Sequence, residues 1–162
     1  MSVERVKAYL EKFHMGNRVM ELALSSATVE LAAKALHTQE ARIAKTLSFQ
    51  GQEGPILLVA AGDARIDNGK FKTAFGLKAR MISPQEVLDS VGHAVGGVCP
   101  FAIENPAVKV YLDESLKRFT TVFPACGSGN SAVEMNLAEL ELTSKCVGWV
   151  DACKGWQEEE TT

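Results

Sequence analysis

The stretch Ile43-Ala44-Lys45-Thr46-Leu47-Ser48-Phe49-Gln50-Gly51-Gln52-Glu53-Gly54-Pro55-Ile56-Leu57-Leu58-Val59-Ala60-Ala61 decides the fold. Its first part, 43–50, places Ile43, Lys45, Leu47 and Phe49 on one side of an extended chain, the period of a strand. Its last part, Pro55 to Ala61, is almost continuously apolar and reads as a buried strand. Gly51 to Gly54 is a turn between them, so the two strands are predicted to pair as a hairpin. A tight turn in place of a helical crossover argues against a regular βαβ array.

Lys45 is out of place on that apolar strand face. Moving an ammonium into a dry site is costly, so a lysine there calls for a reason. One reading is a side chain that snorkels from a strand end. The other is a cation at a pocket mouth, awaiting a phosphate or carboxylate.

Outward from the hairpin, an amphipathic N-terminal helix lies within residues 1–14, with Val3, Val6, Leu10 and Phe13 on one stripe. Arg18 to Ser25 reads as a strand. Ser26 or Thr28 caps a helix whose apolar face holds Val29, Leu31, Ala32, Ala35 and Leu36. Asp67 caps a short helix that ends before Gly76, and Met81-Ile82 closes a strand. Ser83, Pro84 and Glu86 then spell a capping box with proline in the first turn. The helix they start carries Val87, Leu88 and Val91 and stops at Gly92. Further strands are predicted at 108–112, 119–125, 132–135 and 146–150, with another helix starting at Asn136 and Glu139. Residues 155–162 read as a frayed tail. Short strands, tight turns and irregularly placed helices predict one α+β domain over residues 1–162, around a mixed, largely antiparallel sheet.

The bulk properties bound the function. A chain of 162 residues with 46% hydrophobic and 23% charged residues is an ordinary globular composition. No apolar run approaches the roughly 20 residues of a membrane span, and Met1 to Arg5 has no signal-peptide core. The cytoplasm is the expected compartment. Cys99, Cys126, Cys146 and Cys153 form no CxxC pair and no zinc spacing, so reduced thiols and no metal or cofactor are expected. A net charge of −3 excludes a broadly basic coat but allows a local basic face. Lys70, Lys72, Lys78 and Arg80 form such a run, with no acid between Asn68 and Ser83. A solvated face is the ordinary reading of it, and contact with nucleic-acid phosphates the functional one.

After Gly92 comes His93-Ala94-Val95-Gly96-Gly97-Val98-Cys99-Pro100-Phe101. Paired glycines admit close approach of backbone, and the N–H groups of Gly97, Val98 and Cys99 are candidates to hold a carbonyl or anion. The alternative is a tight helix-to-strand connection. A second glycine-rich loop, Cys126-Gly127-Ser128-Gly129-Asn130, follows later in the chain.

Taken together, Lys45-Thr46-Leu47, Gly62-Asp63-Ala64-Arg65-Ile66-Asp67, Gly96-Gly97-Val98-Cys99-Pro100-Phe101, Leu112-Asp113-Glu114-Ser115-Leu116 and the Gly127 loop resemble the YbaK/prolyl-tRNA-synthetase-associated domain family. The likeness runs from about Thr28 to Leu140. It implies a curved mixed sheet surrounded by helices. It also implies hydrolysis of the ester joining a wrong amino acid, small and on a tRNA(Pro)-type partner, to its tRNA. Lys45 matches the family's pocket lysine and Gly96 to Pro100 its GxxxP loop. The expected catalytic set is thus Lys45, Gly97, Val98 and Cys99. Gly96, Pro100, Phe101, Gly127, Ser128 and Gly129 are expected to bind substrate, and Lys70, Lys72, Lys78 and Arg80 to bind tRNA. Mischarged tRNA is the expected partner, together with a synthetase, for a monomer or homodimer. The sequence departs from the family in carrying Ala102 where many members have glycine, and Asn130-Ser131 where some have histidine.

An aminoacyl ester is already reactive, so positioning water and stabilising an oxyanion suffice. No side-chain base stands out nearby, which fits activation of water by the neighbouring ribose hydroxyl. Two other readings remain from the sequence. One is a thiol hydrolase using Cys99 with His93; a capping or surface role is the ordinary reading of His93. The other is a module that binds aminoacyl-tRNA or a nucleotide without hydrolysis.

Overall fold

The computed structural model describes residues 3–157. Its elements in chain order begin with helix α1 (Val3–Glu11), strand β1 (Met20–Glu21) and helix α2 (Val29–Leu36). The hairpin follows as β2 (Ile43–Phe49) and β3 (Ile56–Ala61), then β4 (Arg65–Ile66), α3 (Asn68–Phe75) and α4 (Pro84–Val91). The second half holds β5 (Lys109–Asp113), β6 (Thr121–Pro124), β7 (Ser131–Ala132), β8 (Met135–Asn136), α5 (Leu137–Ser144), β9 (Gly148–Val150) and β10 (Cys153–Lys154).

The hairpin forms as expected and lies at the middle of a six-stranded sheet of order β8-β6-β2-β3-β5-β9. β3 is buried at every residue, which its continuous apolar run requires. β2 pairs antiparallel with β3 from Ala44↔Ala61 to Phe49↔Ile56. On its other edge it meets β6, in parallel, only at Ile43 and Ala44. The β3–β5 and β5–β9 contacts are also parallel, whereas β6–β8 and the two small pairs β1–β7 and β10–β4 are antiparallel. The result is the mixed α+β domain expected.

Both faces of the sheet are covered. Leu57, Leu58, Val59, Leu112, Leu116, Val122 and Leu140 form the main core with Val6 and Leu10 of α1. At roughly 1.5–3 kcal/mol per fully buried aliphatic side chain, this cluster is the main source of stability. Phe49 packs on Phe71 in a tilted arrangement with ring centroids 4.8 Å apart, docking α3 on the hairpin. Ala32, Ala33, Ile43 and Phe123 form a smaller cluster that seats α2.

The caps follow the sequence closely. Thr28, not Ser26, caps α2 by accepting from the Leu31 amide. Asp67 and Ser83 cap α3 and α4, and Asn136 with Glu139 closes a full capping box on α5. Other expectations fail: the strand expected at 132–135 is broken into β7 and β8, and Leu31 of α2 is 41% exposed. The strand expected over 18–25 shrinks to β1, because its alternate residues find no second strand and Leu24 is 66% exposed. Met81-Ile82 makes only an isolated bridge to Phe49. Leu88 faces solvent rather than the core. Within the expected tail, the Trp156 indole donates to the Cys153 carbonyl, while residues 158–162 lie outside the described residues.

Candidate active site

The open edge of β2 is the floor of a cleft of about 490 Å³. β2 is buried at both ends but only half-buried at Lys45, Thr46 and Leu47, where the cleft opens. The walls come from the 26–29 segment and α2, from Met81 to Val87, from Val95, Gly96 and Val98, and from Ala125, Ser131 and Ala132. Most of these side chains are apolar.

Lys45 lines this cleft, as its misplaced charge suggested. Its ammonium donates to the carbonyls of Gly62 (3.3 Å) and Ala64. An ammonium has three donors, so one remains for a ligand. Burial pulls its pKa below the ordinary lysine value, opposed by the neighbouring Cys153 and the Asp63 carboxylate.

The other motifs build the seat of that ammonium. Gly62 must be glycine because a Cβ there would lie 2.0 Å from the Glu40 carbonyl oxygen. Asp63 takes a two-pronged ion pair from Arg118, at 2.6 and 3.0 Å. The Ser115 hydroxyl accepts from the Ala61 amide (3.1 Å) just ahead of the turn. Buried Asp113 accepts from the amides of Ser115 and Ala152, both at 2.9 Å. Asp113 and Ser115 thus hold the 61–64 turn, and the turn holds Lys45.

The GxxxP loop divides between cleft and core. Gly96 and Val98 line the cleft. Gly97 instead packs on the second glycine loop, where a Cβ would lie 2.6–2.7 Å from the Gly127–Ser128 backbone. Its amide already donates to the Ala94 carbonyl at 3.0 Å, so it is not an oxyanion donor. The amide of Val98 has no backbone acceptor among the described residues and keeps that capacity; Cys99 is enclosed and does not offer its amide to the cleft.

Cys99, Pro100 and Phe101 do not line the cleft. Cys99 and Phe101 are fully buried, and Pro100, also buried, lines a separate depression together with Tyr9. Burial pushes the Cys99 thiol up to about 12, although the Phe101 and Gly127 amides hydrogen-bond its sulfur. A neutral, enclosed thiol is a poor nucleophile. Its role here is to tie the two glycine loops together. His93 is also fully buried, not a surface residue. Its Nε2 lies 2.7 Å from the Phe101 carbonyl and therefore carries the proton, which leaves Nδ1 buried without a partner.

Gly127, Ser128 and Gly129 stand behind the lining. Ser128 Oγ is 2.8 Å from Ser131 Oγ, and the Gly129 carbonyl accepts from the Ser26 amide at 2.6 Å. They position Ser26 and Ser131, which do line the cleft. Sequence reasoning missed Thr46 and Ser26 as site residues. Both hydroxyls are buried on the lining without a hydrogen-bond partner. Only the choice of threonine on a strand beside Lys45 hinted at this, and alternation there reads equally well as structure. Ala102, where many relatives of the resembled family carry glycine, sits at φ 59° in the left-handed region. The backbone there suits glycine, and alanine adopts it at a cost of roughly 1–2 kcal/mol.

Of the basic run, Lys70 is engaged at home: Nζ lies 3.1 Å from Asp151 Oδ1 and from the Cys153 carbonyl. Lys72, Lys78 and Arg80 are exposed, and the last two flank a shallow depression beside Gly51. No group of three or more His, Cys, Asp or Glu able to hold a metal occurs among the described residues.

Comparison with known proteins agrees with this geometry. The chain is 52% identical over 158 residues to the Bacillus subtilis (strain 168) protein YwhH, spanning 97% of this chain and all of that one. It is 31% identical over 91 residues to a proline–tRNA ligase of Thermosipho melanesiensis, covering 56% of this chain but 16% of the ligase. Among solved structures, a "putative trans-editing enzyme for prolyl tRNA synthetase" superposes with a TM-score of 0.85 at 32% identity, over 96% of this chain and 99% of that one. The protein APE2540 superposes with a TM-score of 0.77 at 26% identity, over 90% and 99%. The model of the aminoacyl-tRNA editing domain matches residues 25–142, from the rim of the cleft to the middle of α5. A match that encloses the cleft, the Lys45 seat and both glycine loops makes this chain a member of the aminoacyl-tRNA editing domain family.

Proposed function

We propose that the protein is a trans-editing deacylase that hydrolyses the ester between a wrongly attached small amino acid and its tRNA, of the tRNA(Pro) type. The observation that carries this reading is the cleft itself. It offers a tethered ammonium at Lys45, yet none of the described residues lining it is Asp, Glu or His. A site without a side-chain base suits a substrate that brings its own. The ribose hydroxyl beside the ester takes a proton from the attacking water as it passes its own proton to the departing ester oxygen. The carbonyl carbon gains the new C–O bond, and the ester C–O bond breaks. The amino acid leaves as a carboxylic acid that ionises at neutral pH, and the tRNA regains its terminal hydroxyl.

In this reading Lys45 holds the ribose–phosphate end or the carbonyl region, and the Val98 amide faces the developing oxyanion. The apolar walls favour a short side chain. Editing is needed because a methylene or hydroxyl gives a synthetase only about 10–200-fold discrimination. Mischarged tRNA is the partner, delivered free or by a synthetase.

The test is release of labelled amino acid from a panel of mischarged and correctly charged tRNAs. The expected result is rapid loss of one or two small amino acids, with correctly charged tRNA spared. A stable complex with charged tRNA and no release over long incubation would contradict the reading.

A further inference from the structure

The edge of β2 that faces the cleft carries an interrupted ladder. Ala44 pairs there with Pro124 of β6. Further along, the Ser48 carbonyl accepts from the Ile82 amide (3.2 Å) and the Gln50 amide donates to the Arg80 carbonyl (2.8 Å). Alternate residues of a strand turn their N–H and C=O to the same edge, so 44, 46, 48 and 50 all address this one. Between Ala44 and Ser48 stands Thr46, with no ladder partner on this edge among the described residues. The gap is one residue wide, and the cleft opens over it. The Thr46 hydroxyl is buried at the same place, also without a partner. A backbone donor and acceptor turned to the cleft beside a buried hydroxyl, all without protein partners, leave a set of polar groups that a ligand can complete.

In an antiparallel pair, two facing residues exchange both N–H···O bonds. An aminoacyl ester carries the same complementary pair on a single residue: an α-ammonium donor and an acyl oxygen acceptor. We propose that the aminoacyl group fills the gap as a one-residue strand. Its ammonium donates to the Thr46 carbonyl, and the Thr46 amide donates to its acyl oxygen. The inference rests on the deacylase reading, and it names the substrate class within it: esters of amino acids with a free α-amine. It also adds a second backbone donor, beside Val98, where the oxyanion develops, to replace the occupied Gly97 amide. Thr46 is therefore a recognition residue through its backbone, and its neighbour Lys45 supplies the charge.

The experiment titrates the ¹⁵N-labelled chain with 3′-alanylamido-adenosine, a stable amide, and with its propionyl counterpart, which lacks only the α-amine. A hydrogen bond to a charged group predicts roughly 10- to 100-fold tighter binding of the alanyl form. It also predicts a downfield move of the Thr46 amide proton. Equal affinities, a stationary Thr46 amide, or no binding of either compound would overturn the proposal. Thr46→Pro removes the amide at an edge position where proline is tolerated, because the sheet makes no use of that N–H. It is expected to fold and to bind the alanyl form at least 10-fold more weakly; unchanged binding would overturn the proposal. Should that variant not fold, the two analogues on the unaltered chain decide. Deacylation with a silent Thr46 amide overturns this assignment alone. Tight amine-dependent binding without deacylation overturns the deacylase reading and leaves the edge assignment standing.

Discussion

Cys99 and His93 illustrate how burial changes what a reactive residue type does. Cys99 stands in the GxxxP loop and His93 just ahead of it, and both are fully enclosed. With its thiol held up to about 12, Cys99 has almost no thiolate at neutral pH. Cys99→Ser should therefore keep most of the deacylase activity, measured as kcat/KM on the preferred charged tRNA. A folded variant that loses orders of magnitude, with a covalent adduct trapped on the parent, would restore the thiol mechanism. For His93, burial above all lowers the pKa from the usual 6.5, against the hydrogen bond to the Phe101 carbonyl that raises it, with Arg5 adding to the lowering. The unfolded chain then binds more protons than the folded one as pH falls below 6.5, so stability drops there. It levels off once pH passes below the lowered folded value. A thermal-melt series should show this drop, and His93→Gln should flatten it. A parent melt that is flat from pH 7 to 5 would contradict the assignment of a neutral buried imidazole.

Elements converge on the cleft through contacts distant in sequence. Ser115 sits in the turn after β5, yet its hydroxyl satisfies the Ala61 amide at the end of β3. Ser115→Ala should leave that buried N–H unpaired, costing about 1–3 kcal/mol, and loosen the turn that seats Lys45. Denaturant unfolding and kcat/KM should fall together; loss of stability with full activity would separate Ser115 from the Lys45 seat. Gly97→Val should be inactive, and now for a structural reason, since the side chain collides with the Gly127–Ser128 backbone. A well-folded, active Gly97→Val protein would contradict this packing. These contacts mark what was legible in the sequence. The hairpin at 43–61 could be read because alternation, an apolar run and a glycine turn are local signals. Lys45 could be read because a charge on an apolar strand face has few explanations. Pro100 and Phe101 could not be separated from Gly96 and Val98, because one loop crosses from cleft to core within five residues. The open edge at Thr46 depends on β6 and the 80–82 segment stopping short of each other, which no local pattern encodes.

On the scale of the whole molecule, a net charge of −3 leaves only a local surface for a polyanion. Lys72, Lys78 and Arg80 are exposed, and Met81 and Ile82, next to Arg80, line the cleft. Reversing these three charges should weaken tRNA binding and reduce its salt dependence by up to about three phosphate contacts. Activity on a minimal aminoacyl-adenosine ester should change little, and equal loss on both substrates would place the residues in the fold or pocket instead. Lys70 should matter less to binding, since it is paired with Asp151. The central claim is that the β2 cleft, with the Lys45 ammonium on its floor, is where the aminoacyl ester is cleaved. The most direct measurement is single-turnover deacylation of the preferred mischarged tRNA by the parent and by Lys45→Ala, with circular dichroism to check the fold. The account predicts that Lys45→Ala stays folded and loses nearly all of the rate; a folded Lys45→Ala protein that releases the amino acid at the parent rate would contradict it.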